Sequence, residues 1–141
     1  MKKIFISSDH AGFNLKELIK KKFLKKYKFQ DLGTNSSKIS VNYPDYAHKV
    51  ARKVKSSKSN VGILVCGSGT GMNIAANKHK NIRAAQCFNL KSTKLSRLHN
   101  DANIITLGSR LITEKNALKF ISVFLNTKFV GGRHLRRVKK I

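Results

Sequence analysis

The spacing of apolar residues switches repeatedly along the chain, and each switch marks the boundary between a strand and a helix. "KIFIS" (3–7) is a short apolar run that predicts a buried strand. It leads into a helical pattern over 14–27, where Leu15, Leu18, Ile19 and Phe23 recur at helical spacing and Asn14 and Glu17 form a capping-box pair. "KFQDLG" (28–33) predicts a second strand ended by Gly33, and the polar "TNSSKISVN" (34–42) predicts a loop. Pro44 is the only proline and suits the first position of a helix running to about Lys55. "NVGILVC" (60–66) is the clearest strand, and a helix follows in "GMNIAANKH" (71–79). "IRAAQC" (82–87) and "NIITLG" (103–108) predict the fourth and fifth strands. The last long helix starts near Thr113, with Ala117, Phe120, Ile121 and Phe124 on one apolar stripe.

Strand-helix alternation of this kind predicts an α/β fold: a five-stranded parallel sheet with helices on both faces. No internal repeat or linker divides the chain, so residues 1–141 are read as one domain. In such sheets ligands bind beyond the carboxyl ends of the strands. Asp9-His10, Cys66-Gly67 and Gly108-Ser109-Arg110 each follow a predicted strand directly, which gives them one common location.

Composition changes this picture in one respect. The net charge is +24, enough to raise the alternative of a basic nucleic-acid-binding protein on the same fold. The cations are scattered, however, through "KELIKKKFLKKYK", "KVKSSK", "NKHKN" and "RRVKK". Only 7 of the 30 are arginine, the type suited to bidentate phosphate and guanine contacts, so the excess reads as solvated surface. No apolar run approaches the roughly 20 residues of a membrane span. The N-terminus reads as a first strand rather than a signal peptide. Cys66 and Cys87 lack zinc-type spacing and are expected to be reduced thiols in the cytoplasm.

The chemistry concentrates in "CGSGTG" (66–71). Gly67, Gly69 and Gly71 lie between a strand and a helix, where glycine lets the backbone approach a ligand and aim successive N–H groups at an anion. The segment suits a phosphate, a carboxylate or an oxyanion, and is equally compatible with an unliganded tight turn. It lacks the G-x-G-x-x-G spacing of a dinucleotide loop, and Met72-Asn73 stand where a P-loop needs Lys and Ser/Thr. Cys66 beside these N–H groups could act as nucleophile or base, or be an apolar core cysteine. Cys87 fits the core role better.

His10 and His99 lie at strand termini next to acidic or amide residues, and both could exchange protons near neutral pH. His48 and His79 fall on predicted helices and read as structural, while His134 lies in the tail. If "RHLRRV" is helical, Arg133 and Arg137 share a face and make a fork for phosphate oxygens.

Together "SDHAG" (8–12), "YPDYA" (43–47), "CGSGTGMNIAANK" (66–78), "IRAA" (82–85), "SRLHNDANIITLGSR" (96–110) and "GGRHLRRV" (131–138) closely resemble the ribose-5-phosphate isomerase B family, which includes the galactose-6-phosphate isomerase subunits. The motifs occur in the family's order and span nearly the whole chain. The resemblance implies a Rossmann-like fold and a homodimer or dimer of dimers with active sites between subunits. It implies no metal and no cofactor. The implied reaction is the interconversion of D-ribose 5-phosphate and D-ribulose 5-phosphate through an enediolate, in the pentose phosphate pathway. A related isomerase for allose or galactose 6-phosphate is the nearest alternative. By position, Cys66 matches the base, Ser68 and the Gly67–Gly71 N–H groups the enediolate loop, and His99 with Asp9 the ring-opening pair. His10, Arg133 and Arg137 match phosphate contacts, Arg110 a further one, and Asn100 and Tyr43 sugar contacts. Met72 occupies the position of a glutamate base in one branch, which assigns the chain to the cysteine-using branch. Thr70 departs from the larger aliphatic or asparagine expected there, a departure that bears on the loop's fine specificity and not on its chemistry.

Overall fold

A computed structural model describes residues 2–141. Five strands, β1 (Ile4–Ser8), β2 (Phe29–Asp31), β3 (Val61–Cys66), β4 (Ala84–Gln86) and β5 (Ile104–Gly108), form one sheet in the order β2-β1-β3-β5-β4. Every pairing is parallel. The helices are α1 (Phe13–Phe23), α2 (Tyr43–Val54), α3 (Thr70–Ala76), α4 (Leu90–Asn100), α5 (Glu114–Asn126) and α6 (Arg133–Val138). Among the described residues no helix is long and apolar enough to cross a membrane.

Alternation along the central strands divides the core into two layers. Ile4, Ile6, Val61, Ile63, Val65, Ile105 and Leu107 pack against Leu15 and Ile19 of α1 and Ala117, Phe120, Ile121 and Phe124 of α5. Phe5, Leu64, Cys66 and Ile104 point the other way, onto Ala47, Val50, Ala51 and Val54 of α2 and Met72, Ala75 and Ala76 of α3. The period of two thus sends Cys66 toward α2 and α3. The order reverses between β1 and β3, so the crevice past their carboxyl ends is the topological switch point.

Three elements differ from the sequence pattern. Asn14 does not cap α1: the helix begins after Gly12, whose N–H donates to Asp9 Oδ1 at 2.9 Å, so the carboxylate at the strand end takes that role. Glu17 instead joins an ion cluster. The pattern also missed α4, whose "LKSTKLSRLHN" carries one fully buried residue, Thr93, and so has no apolar stripe to detect. Its start is fixed by Asn89, whose side chain accepts from Ser92 N–H. His79 lies just past the end of α3 rather than on it, and its Nε2 is 2.7 Å from His48 Nδ1 on α2.

The ion cluster locks α1 to β2. Lys16 is completely buried, and its Nζ lies 2.5 Å from Asp31 Oδ2 and 3.0 Å from Glu17 Oε1. Lys20 reaches the same two carboxylates at 2.6 and 2.9 Å. Burial alone would raise Asp31, but hydrogen bonds from Lys16, Lys20 and the Gly33 N–H outweigh it and hold the carboxyl below its ordinary value. A depressed carboxylate stabilises the fold fully above its unfolded pKa, about 4, and loses that contribution as pH falls through the folded value. Asp31→Asn leaves the buried Lys16 short of a counter-charge and is expected to cost on the order of 3 kcal/mol at pH 7. Urea unfolding across pH 2–7 checks it: the gap between variant and wild type should narrow below pH 4, and a pH-independent gap would contradict the assignment.

Candidate active site

The carboxyl ends of β1, β3 and β5 bring three loops together, and each is pinned by its neighbours. After β3, Ser109 N–H donates to Cys66 O at 2.8 Å and Arg110 N–H to Gly67 O at 3.0 Å, which ties the glycine loop to the turn after β5. Ser109 Oγ donates to Ala11 O at 2.8 Å, which ties that turn to the loop after β1. Asn73 Oδ1 accepts from the buried Thr106 Oγ1 at 3.0 Å and anchors α3 to β5.

Gly69 is the loop's pivot. It takes φ 78° and ψ −20°, the left-handed region, and starts α3. A Cβ there would lie 2.9 Å from the Leu107 carbonyl carbon, so a side chain meets both backbone strain and a packed strand. The turn directs the Gly69 N–H onto Cys66 Sγ at 3.1 Å. Thr70 N–H folds back onto Ser68 Oγ at 3.2 Å. The N–H groups of Gly67, Ser68 and Gly71 have no acceptor among the described residues.

Cys66 is 4% exposed and packs with the α2–α3 core layer, yet its sulfur meets the glycine loop. Cys66 is therefore a core cysteine whose sulfur also accepts a backbone N–H of the loop. Cys87 is buried at the other layer, and burial pushes its thiol up, only partly offset by hydrogen bonds with Thr93 and Ser96.

The remaining residues of this end surround the loop. Asp9 is 6% exposed, with one oxygen committed to the Gly12 N–H. His10 Nδ1 accepts the Val41 N–H at 3.2 Å, which places the proton of the neutral ring on Nε2. The Tyr43 ring fills the space a side chain at Gly71 would need, and the Arg110 guanidinium lies over Gly67, 3.1 Å from where a Cβ would stand.

His99, Asn100, Arg133 and Arg137 lie elsewhere in the same chain. The α4 helix starts after the carboxyl end of β4 and runs back about 16 Å before the chain enters the amino end of β5. Arg83, the residue before β4, donates from Nε to Asn100 O at 3.0 Å, which fixes Asn100 at the amino edge. Val130 N–H donates to Leu98 O at 3.2 Å and brings α6 to the same edge. There His99 and His134 stack with centroids 4.1 Å apart and planes at 7°. They line an open cavity of about 380 Å³ with Asn100, Arg137, Val138 and Ile141. Desolvation, then the positive neighbours His99, Arg133 and Arg137, hold His134 below its ordinary value, as expected where cations crowd together. One chain therefore holds the sequence-predicted residues in two clusters at opposite ends of its sheet: a thiol beside a glycine loop, and an imidazole with an arginine.

Sequence reasoning missed one residue at the first cluster. Gln86, at the end of β4, donates from Nε2 to Ser68 O at 2.8 Å and lies 3.0 Å from Thr70 Oγ1. The available signal was a lone amide inside the apolar "IRAAQC".

Known proteins carry the same arrangement of sequence and fold. The family model described as Ribose/Galactose Isomerase matches residues 4–141. Ribose-5-phosphate isomerase B of Escherichia coli is 42% identical, over 100% of this chain and 95% of that one. The structure of Clostridium thermocellum ribose-5-phosphate isomerase B superposes with a TM-score of 0.92 at 49% identity, covering 98% of this chain and 93% of that one. The Mycoplasma genitalium ribose-5-phosphate isomerase B, solved with bound ribulose-5-phosphate, superposes with a TM-score of 0.94 at 42% identity, covering 99% and 93%.

Proposed function

The chain belongs to the ribose/galactose isomerase family, and we propose on that footing that it interconverts D-ribose 5-phosphate and D-ribulose 5-phosphate in the cytoplasm, as a step of the pentose phosphate pathway. The observation that carries the reading is the Cys66 sulfur beside a loop with unengaged N–H donors at Gly67, Ser68 and Gly71, at the sheet's switch point.

The reaction moves one proton between adjacent carbons. The Cys66 thiolate takes the C2 proton of the open-chain aldose, the C–H electron pair becomes the C1–C2 double bond, and O1 takes up the charge. The loop N–H groups and Ser68 Oγ receive that charge; one such donor is typically worth ~2.7–4 kcal/mol. Cys66 then returns the proton to C1 while O2 passes its proton to O1, leaving the ketone. Ring opening comes first and needs a proton at the ring oxygen and a base at the O1 hydroxyl, roles assigned to His99 and Asp9. His10, Arg110, Arg133 and Arg137 hold the phosphate, and Tyr43 and Asn100 hold sugar hydroxyls. Binding energy at the remote phosphate positions the reacting carbons.

These assignments require two chains, because His99 and Arg137 cannot reach the Cys66 of their own chain. A second copy that docks its amino-edge half-site over the glycine loop completes the site. Ile74, Phe88, Leu90 and Leu111 are 45–58% exposed on the elements near β4 and β5, apolar surface that supports such a homodimer.

The test is a side-by-side assay of ribose 5-phosphate, allose 6-phosphate and galactose 6-phosphate with a metal chelator present. The expected result is the highest kcat/KM for the pentose, unchanged by chelator. A preference for either hexose would overturn the pentose assignment, and loss of activity on chelation would overturn the metal-free mechanism. No turnover, together with tight salt-sensitive nucleic-acid binding, would favour the basic binding protein.

A further inference from the structure

The glycine loop carries its reactive hydrogen bond on a single peptide unit. Ser68 contributes the carbonyl of that unit and Gly69 the N–H. A peptide bond is planar and trans, so fixing the direction of one group fixes the other, which points the opposite way. The Gly69 N–H points at Cys66 Sγ, at 3.1 Å. The Ser68 carbonyl points at Gln86 Nε2, at 2.8 Å. The thiol and the amide thus hold the two ends of one rigid plate.

Other supports of the loop act on different units. The Cys66 and Gly67 carbonyls are held by the N–H groups of Ser109 and Arg110, and the Gly69 carbonyl by the Asn73 N–H. The Ser68 carbonyl alone is held by a side chain, from the edge strand β4. That amide is itself steadied, since Thr70 Oγ1 lies 3.0 Å from Nε2 and 3.3 Å from Oε1.

We propose that Gln86 is a positioning residue for Cys66: it holds the Ser68–Gly69 peptide so that its N–H stays on the sulfur and stabilises the thiolate, with Thr70 fixing the amide. The inference deepens the isomerase reading and rests on Cys66 being the base. Gln86 touches neither the sulfur nor the reacting carbons; it acts through one peptide plane. When the amide is lost the plate can rotate, the sulfur loses its donor, and the thiol holds its proton more firmly.

Gln86→Met keeps the side-chain length and removes the donor. Gln86→Glu keeps the shape and turns the amide into an acceptor facing a carbonyl oxygen. Thr70→Ser retains the hydroxyl that Thr70→Val deletes. The primary readout is the ultraviolet absorbance of the Cys66 thiolate titrated with pH, taken as the difference from Cys66→Ala, so that it is independent of turnover. Both Gln86 variants are expected to shift that titration to higher pH, corresponding to about 3- to 10-fold less thiolate at pH 7. The kcat should fall by a similar factor and recover as pH rises, with KM unchanged. Thr70→Ser should titrate like wild type and Thr70→Val like a milder Gln86→Met. A wild-type thiolate titration in both Gln86 variants would overturn the proposal, whether KM rises, which would make Gln86 a substrate contact, or activity is unchanged. A shifted titration in an enzyme whose Cys66→Ala variant stays active would uphold the positioning role and reject Cys66 as the base.

Discussion

Cys66→Ala is expected to lower kcat by about 10²–10⁴-fold while KM for the sugar phosphate stays within about twofold. In the proposed mechanism the thiol is the base and the acid of the same proton transfer, so its loss should act on the transition state alone. The proposed phosphate contacts and the unengaged N–H groups of the loop would remain. Core disruption is a minor effect, because alanine removes one sulfur from a layer otherwise built of Leu64, Met72, Ala75 and Ile104. Cys66→Ser provides a sharper comparison. The hydroxyl keeps the shape and the Gly69 N–H contact, but it ionises far too weakly to take a carbon-bound proton near neutral pH. Steady-state kinetics on both variants, with circular dichroism to confirm folding, decide the matter. A Cys66→Ser enzyme with most of its activity would reject the thiolate mechanism.

His99→Asn is expected to produce the second-largest loss, and an unequal one. The aldose 5-phosphate is mostly a closed furanose that must be opened before C2 can react. The ketose 5-phosphate has no free hydroxyl in reach to close a five-membered ring through its carbonyl, so it enters the site open. With His99 acting on the ring oxygen, the substitution should lower kcat/KM by about 10²-fold for ribose 5-phosphate, and by much less for a shorter aldose phosphate whose chain cannot close a furanose ring. Stacking of His99 on His134 holds the imidazole in place. Asparagine keeps a polar group there and leaves α4 capped by Asp101 in its left-handed turn. Equal losses for the ring-forming and the open-chain substrate would remove His99 from ring opening and leave it a binding residue.

The distinction between what could be read from sequence and what could not follows from how local each signal is. Gly67, Gly69, Gly71 and Cys66 were legible because strand, turn and helix are consecutive, and the N–H donor meets the sulfur only three residues away. The centre of the sheet was legible because β1, β3 and β5 are buried and mostly apolar on both faces. The α4 helix was not, because it rests on one side of the molecule with only Thr93 fully buried, and its ends are set by Asn89 and Asp101 rather than by an apolar stripe. The capping role of Asp9 was hidden because Asn14 and Glu17 offered a local pair, and Glu17 was claimed by Lys16 and Lys20. Gln86 was beyond reach for a different reason. Its partners lie 16 and 18 residues away, and only the β4–β5–β3 order brings them together. The same order carries His99 to the edge opposite Cys66, so candidate residues could be named from the sequence but their division between the two ends of the sheet could not.

That division is tested by mixing two inactive chains. Cys66→Ala and His99→Asn protomers are co-expressed under separate tags, and the doubly tagged hybrid is purified. In a hybrid dimer one site receives both defects and the other receives neither. About half of wild-type kcat per dimer is therefore predicted for the hybrid, and about a quarter for a random mixture of all dimers. A hybrid no more active than its parents would contradict a site built from the Cys66 of one chain and the His99 of the other.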